Sequence, residues 1–363
     1  MKKYRLILIS ILLLAHFSVR PNECFSTDWH QIDPSPTASG LTGIWATSKM
    51  NIYVVGGSNN IYHFDGSSWT SMPSGSPFNM REIWGSSASD IFVVGTGGIV
   101  SHSSNGTNWG IMNGVMGNDL YDVWGASGSD VHAVGEDGIV GHYIGYGAWS
   151  SGGGNSVHYQ SIWGNSGSEV WAVGMNGTMI YYDGTNWAYT ESNTAESLYG
   201  IWGDSTNHIF AVGNNGTIIQ YNGSVWSAIE SGTNERLYGV WGTSDFGYFA
   251  VGENGTILNY NGLSWNQMDS GTNEHLLDIW GTSEGDVFVS GNGIILHYKI
   301  ILPGDIDGNG MITLADAVYA LKIMSGMHTD LNPYQNADVN GDNRVGIEEV
   351  NYILQKTSGI RDN

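Results

Sequence analysis

Between residues 40 and 300, short apolar runs alternate with breaks rich in glycine, asparagine and serine. Residues 198–230 show the unit cleanly: "LYGIWG", "HIFAVG", "GTIIQYN" and "SVWSAIE", joined by "DSTN", "NN" and a single glycine. β-Branched and aromatic residues fill each run and Asn-Gly turns separate them, which predicts an antiparallel four-stranded meander. Nothing in the unit recurs at the three- and four-residue spacing of an amphipathic helix.

An Ile-Trp or Val-Trp step marks the first run of every copy: Trp45, Trp84, Trp124, Trp163, Trp202, Trp241 and Trp280, spaced by 39 or 40 residues. A period near forty with four strands per unit marks a β-propeller, and seven copies predict seven blades. A second series, Trp69, Trp109, Trp149, Trp187, Trp226 and Trp265, marks the fourth run. Its seventh member is Trp29, which precedes the first full copy, while the last copy stops after "GIILHY" without a fourth run. The N-terminal strand is therefore expected to complete the last blade, closing the ring and removing its exposed edges.

Fourteen of the fifteen tryptophans thus hold repeat positions, where a large flat side chain fills the space between blades. The fifteenth, Trp171, shares a column with Tyr53, Phe92, His132, Phe210, Phe249 and Phe288. Asn-Gly-Thr triplets starting at Asn105, Asn176, Asn215 and Asn254 match a glycosylation acceptor, but read better as hairpin turns that need positive φ. "SSNGTNW" (103–109) resembles the Asp-box of sialidase-like propellers, with the Asn-to-Trp spacing one residue short. That family's three-arginine carboxylate clamp is excluded, because residues 27–299 hold only Arg81 and Arg236.

Composition narrows the function. The 363-residue chain has 53 glycines, 12% aromatic residues and a formal charge of −22. Such a surface repels phosphate backbones and anionic lipid heads, so nucleic-acid and membrane-surface roles are disfavoured. Divalent cations and neutral partners are the natural candidates. At the N-terminus, Lys2, Lys3 and Arg5 precede an apolar run from Leu6 to Ala15, the charge order of a secretory signal peptide over residues 1–26, with an anchor helix as the alternative. Export without later membrane insertion is the expectation. The only cysteine, Cys24, falls inside that segment, so the mature chain has no disulfide.

After a propeller over 27–299 and a short linker at 300–303, the composition changes. Asp305, Asp307, Asn309, Met311, Thr313 and Asp316 occupy positions 1, 3, 5, 7, 9 and 12 of a calcium loop, with Gly310 at the sharp turn. A second loop 33 residues on offers Asp338, Asn340, Asp342, the carbonyls of Arg344, a water at Gly346, and Glu349. An apolar helix follows each loop, and two bound calcium ions are expected. Over residues 304–357, this pair of loop-and-exiting-helix units resembles a type I dockerin, ahead of a tail at 358–363. The resemblance implies calcium-dependent folding and a cohesin-bearing scaffold protein as partner, commonly within polysaccharide-degrading assemblies. It also implies contact residues at loop positions 10 and 11, here Leu314 and Ala315, then Ile347 and Glu348. These are not the Ser/Thr pair of the best-known type.

Shared positions build a ring of repeats, so asymmetric ones are where function is sought. Two residues before each Ile-Trp or Val-Trp step stand Thr42, Arg81, Tyr121, Gln160, Tyr199, Tyr238 and Leu277; the next position holds Gly43, Glu82, Asp122, Ser161, Gly200, Gly239 and Asp278. Both rows are expected around one mouth of the central channel. There Glu82, Asp122 and Asp278 form a carboxylate group suited to a divalent ion or to acid-base glycoside chemistry; the alternatives are salt bridges to Arg81 or plain solvent exposure. His63, His102, His142 and His297 share a third-strand position on separate blades and are not expected to converge on a metal. Asp90, Asp130, Glu169 and Asp286 read as turn caps. Two functions remain: a non-catalytic platform for a glycan or protein, or a polysaccharide-degrading glycoside hydrolase.

Overall fold

In the computed structural model of the chain, residues 28–33, 35–36, 40–112, 117–145, 149–152, 156–300, 302–327, 338–340 and 344–358 are described. The expected signal segment, residues 1–26, and the second-loop residue Asp342 lie outside them. The clean copy folds as its pattern dictates, with strands Leu198–Ser205, His208–Gly213, Ile218–Tyr221 and Trp226–Ile229. They pair antiparallel in chain order, and seven such four-stranded sheets form a seven-bladed β-propeller. We number the blades from the first full copy.

The glycine after the inner tryptophan has a packing cause. Each such glycine from Gly85 to Gly203, and again Gly281, lies against the indole of the preceding blade; a Cβ on Gly281 would stand 2.2 Å from the Trp241 ring. Two inner tryptophans depart from this packing. Trp202 donates to the Gly242 carbonyl at 2.7 Å and Trp280 to the Ala46 carbonyl at 2.9 Å. Their rings meet edge-on with centroids 5.5 Å apart, although they come from blades 5 and 7.

Between the second and third strands a tight turn places Asp137, Asn176, Asn215 and Asn254 at φ between 52° and 55°, where Asn and Asp are tolerated better than most residues. Asn105 does not belong with them. It sits one connection later, at negative φ, with its side chain accepting from the Thr107 and Asn108 amides.

The ring closes as expected. His30–Gln31 pairs antiparallel with Ile295–Lys299, in the register His30 to His297 and Gln31 to Leu296. Trp29 stacks on Tyr298 with centroids 5.2 Å apart, as Trp187 stacks on Tyr182 and Trp265 on Tyr260 at the same distance. It therefore holds the seventh fourth-strand position.

The chain divides into two compact units, and the smaller begins at Pro303. It contains helices α1 (Leu314–Met324) and α2 (Ile347–Thr357) around a small core of Ile306, Ala317, Ala320, Val350 and Ile353. Thr313 and Asp316 form a reciprocal cap on α1. Among the described residues, no helix is long and apolar enough to cross a membrane.

Candidate functional site

The two rows of asymmetric residues do meet in one place. Glu82, Asp122 and Asp278 line a single channel cavity of about 470 Å³ together with Arg81, Tyr121, Tyr199 and Tyr238. They reach it because each stands where an inner strand begins, one residue before the Ile or Val that turns into the blade.

Neither alternative offered for these acids holds. Arg81 pairs with Asp119 (Nη2 to Oδ2, 3.0 Å), not with the three carboxyls. The acids are not loose in solvent either, because backbone amides bind them. Asp122 accepts from the Val123 amide at 2.6 Å and, across to blade 4, from the Ile162 amide at 2.8 Å and the Ser161 hydroxyl at 2.7 Å. Asp278 reaches from blade 7 to the Ile44 amide of blade 1 at 2.8 Å. Both acids stitch one inner strand to the next. Glu82 accepts from its neighbour's amide, Ile83, at 2.9 Å, and leans over Gly43, where a Cβ would lie 2.5 Å from its Oε1. The Asp278 carboxyl is its electrostatic neighbour in the same cavity. Gly43 is what leaves room for the Glu82 carboxyl.

Neighbouring buried carboxyls resist ionising together. Each of the three is half-buried by surface area yet sits deep in the ring, with protein around the channel on every side. Burial, then the charges of Asp278 and Asp122, holds Glu82 well above the usual carboxylate range. Burial likewise raises Asp278 to about 7 and Asp122 to about 6, against the opposing pull of their amide donors. The folded ring therefore binds more protons than the unfolded chain between about pH 4 and 7. The cluster's contribution to stability falls as pH rises through that window. Glu82→Gln removes one charge while keeping a donor toward Asp278. It should match the parent near pH 4.5 and melt progressively higher than the parent as pH rises, because only the parent must give up a proton that burial holds. A variant melting lower at pH 8 would mean that an ionised Glu82 supports the fold.

Arginine gathers at the same end of the channel. Arg81 lies over the Tyr121 ring at 4.9 Å, and Arg236 over Tyr199 and Tyr238 at 5.4 and 5.8 Å. Arg236 also donates to Asn214 Oδ1 at 2.9 Å and pairs with Glu253 at 3.5 Å. Both arginine side chains keep 41% of their surface exposed, so each retains N–H groups for a ligand. Comparing equivalent repeat positions missed Arg236, because it lies outside the compared rows and arrives through its side-chain direction alone.

The four third-strand histidines stay on separate blades. Each finds a partner at the start of the second strand: His63 with Asn51, His102 with Asp90, His142 with Asp130 and His297 with Asp286, all at 2.7 Å. Asp90, Asp130 and Asp286 therefore hold histidines and are not simple turn caps; Glu169 faces Asn165 instead, at 3.0 Å.

In the smaller unit, Asp305, Asp307 and Asp316 bring one oxygen each to within 4.8 Å of the other two, a donor set that suits a hard cation. Asp316 accepts from the amides of Ile306 and Thr313, ten and three residues earlier, at 2.9 and 2.8 Å. Glu349 does the same with Val339 (3.2 Å) and Gly346, again ten and three residues earlier. The described parts of the two loops share one geometry.

No protein-family model and no curated protein matches this chain. Solved structures do match. YCF48 from Cyanidioschyzon merolae is similar at 16% identity, with a TM-score of 0.61 over 75% of this chain and 98% of its own. A structure of YCF48 bound to D1 peptide is similar at 16% identity and a TM-score of 0.62, over 77% of this chain and 98% of its own. An inactive variant of virginiamycin B lyase from Staphylococcus aureus, solved with quinupristin, is similar at 10% identity and a TM-score of 0.67, over 74% and 98%. At these identities the likeness establishes the propeller fold, common to binding proteins and enzymes alike.

Proposed function

We propose that the protein is a secreted, calcium-binding, non-catalytic binding platform whose propeller takes a carboxylate-bearing ligand at the channel mouth. One observation carries this reading. In a propeller with two arginines, both are stacked on tyrosines at one end of the channel, where planar cations on aromatic faces suit a carboxylate flanked by flat or apolar groups. A peptide end fits that chemistry first, and the likeness to a propeller that holds a peptide agrees with it. An acidic glycan is the second ligand class. Arrays of peptides with free C-termini and of glycans, probed with the calcium-loaded full chain, test the reading. Arg81→Ala and Arg236→Ala should each weaken the best binder by about tenfold or more without lowering the melting temperature. A binder indifferent to both arginines, or none on either array, overturns it.

The C-terminal unit is the proposed attachment module, a dockerin-like domain holding two calcium ions. The matched geometry of Asp316 and Glu349 supports the duplication. Positions 10 of the two loops, Leu314 and Ile347, are 60% and 46% exposed, and Val318, Leu321 and Leu354 extend this apolar surface along the helices. Such surface suits a protein partner of the cohesin kind, and polysaccharide-degrading assemblies are the setting that partner implies.

The three channel carboxyls are the basis of a second reading, that of a glycoside hydrolase. Backbone amides already occupy Asp122 and Asp278, which weighs against free acid-base chemistry there. Product release from a polysaccharide panel, abolished by Glu82→Gln or Asp122→Asn with the fold intact, would establish this reading over the platform.

A further inference from the structure

One residue of the second-strand aromatic column differs in kind from the rest. Tyr53, Phe92, Trp171, Phe210, Phe249 and Phe288 fill it on six blades, and His132 fills it on blade 3. His132 is fully buried and neither of its ring nitrogens makes a hydrogen bond. A buried polar group left without a partner is destabilising, so a histidine here is unfavourable on packing grounds where phenylalanine is not.

Its imidazole lies flat against that of His142, with centroids 3.9 Å apart and planes within 13° of parallel. The strand register opposes the two residues directly. Asp130, two residues before His132 and so on the same side of the strand, reaches the same spot. Its Oδ1 lies 2.7 Å from His142 Nε2 and 3.5 Å from His132 Nε2. One ligand atom from each residue falls within 4.8 Å of the other two. A neutral imidazole offers one ring nitrogen lone pair to a metal, and neither His132 nitrogen is otherwise engaged.

We propose that Asp130, His132 and His142 form a transition-metal site on blade 3, suited to Zn²⁺. Two imidazole nitrogens and one carboxylate oxygen are the donors of a borderline divalent ion, unlike the all-oxygen calcium loops. Binding turns the two rings out of their stack so that each Nε2 lone pair faces the ion; His142 keeps its proton on Nδ1, and the metal replaces the His142–Asp130 hydrogen bond. The side chains of His142 and Asp130 are 25% and 34% exposed, which gives the ion a route in and an outer position for water. Other blades supply the contrast. His63 and His102 keep the same hydrogen bond but stack on Tyr53 and Phe92, so each blade offers a single imidazole.

Titration of the tag-free full chain with Zn²⁺, in buffer saturated with Ca²⁺, tests the assignment. The parent should bind one Zn²⁺ tightly, and Co²⁺ in its place should give the visible bands of a low-coordinate nitrogen-ligated ion. His132→Phe restores the ring of blade 2, and Asp130→Asn restores the hydrogen bond of blade 1, so both should fold. Each should lose more affinity than the roughly 10–100-fold cost of losing a supporting hydrogen bond, and each should lose the cobalt bands. A parent that takes up no Zn²⁺ under these conditions, or variants that bind as tightly as the parent, overturns the site.

Discussion

Deleting residues 27–36 is expected to lower the melting temperature of the propeller by on the order of 10 °C and to make it self-associate. The deletion removes Trp29, 7% exposed and packed on Tyr298 and Phe249. Truncating a core tryptophan alone costs about 3–5 kcal/mol. It also removes the hydrogen bond from the Ile32 amide to the Ile295 carbonyl (2.9 Å) and the contact of His30 Nε2 with His297 Nδ1 (3.0 Å). What remains is a three-stranded blade whose last strand, Ile295–Lys299, presents unpaired amides and carbonyls to any second chain. Calorimetry with light scattering reads both effects. A deletion variant that melts with the parent and stays monodisperse would show that the ring does not depend on its seam.

Residues 304–357 are expected to lose most of their helix in chelator and regain it with calcium. Asp305, Asp307 and Asp316 crowd together, with Asp305 and Asp316 fully buried, and their repulsion opposes the compact state without a cation. The five-residue core of this unit, two of them alanines, offers little against that repulsion, and no disulfide assists. Calcium binding free energy then becomes folding free energy. Far-ultraviolet circular dichroism of the isolated segment should show coil in chelator and two helices in calcium, while the full chain keeps its propeller in both. Asp305→Ala with Asp338→Ala should reproduce the chelated state in calcium. Equal helicity in the two buffers would reduce the loops to ordinary capped turns and remove the physical support for the dockerin-like reading.

Legibility divides along physical lines. The candidate acids were found because they break a repeat, and the structure brings all three into one cavity. Their chemistry was not legible. That Asp122 and Asp278 bind amides of the following blade depends on side-chain rotamers and interblade spacing, which no periodicity encodes. The histidine partners were half legible: Asp90, Asp130 and Asp286 recur at a fixed offset, but turn chemistry explained them equally well until strand pairing brought each beside its histidine. His132 was visible as the odd member of an aromatic column, and its opposition to His142 across a hairpin is the signal that would have singled it out.

The chain alone determined the number of blades, the four strands in each and the closure of the ring by Trp29, because these follow from chain order, period and where one large side chain recurs. It likewise placed the oxygen donors of the first loop, since their spacing wraps one turn of local backbone. The tertiary structure decided everything that depends on residues from different turns of the ring: the gathering of Glu82, Asp122 and Asp278 in one cavity, the tyrosine-stacked arginines, and the edge-on meeting of Trp202 and Trp280. Repeats specify what each blade shares with its neighbours. Contacts between unlike residues on different blades depend on side-chain direction across a gap, and distances along the chain carry no record of it.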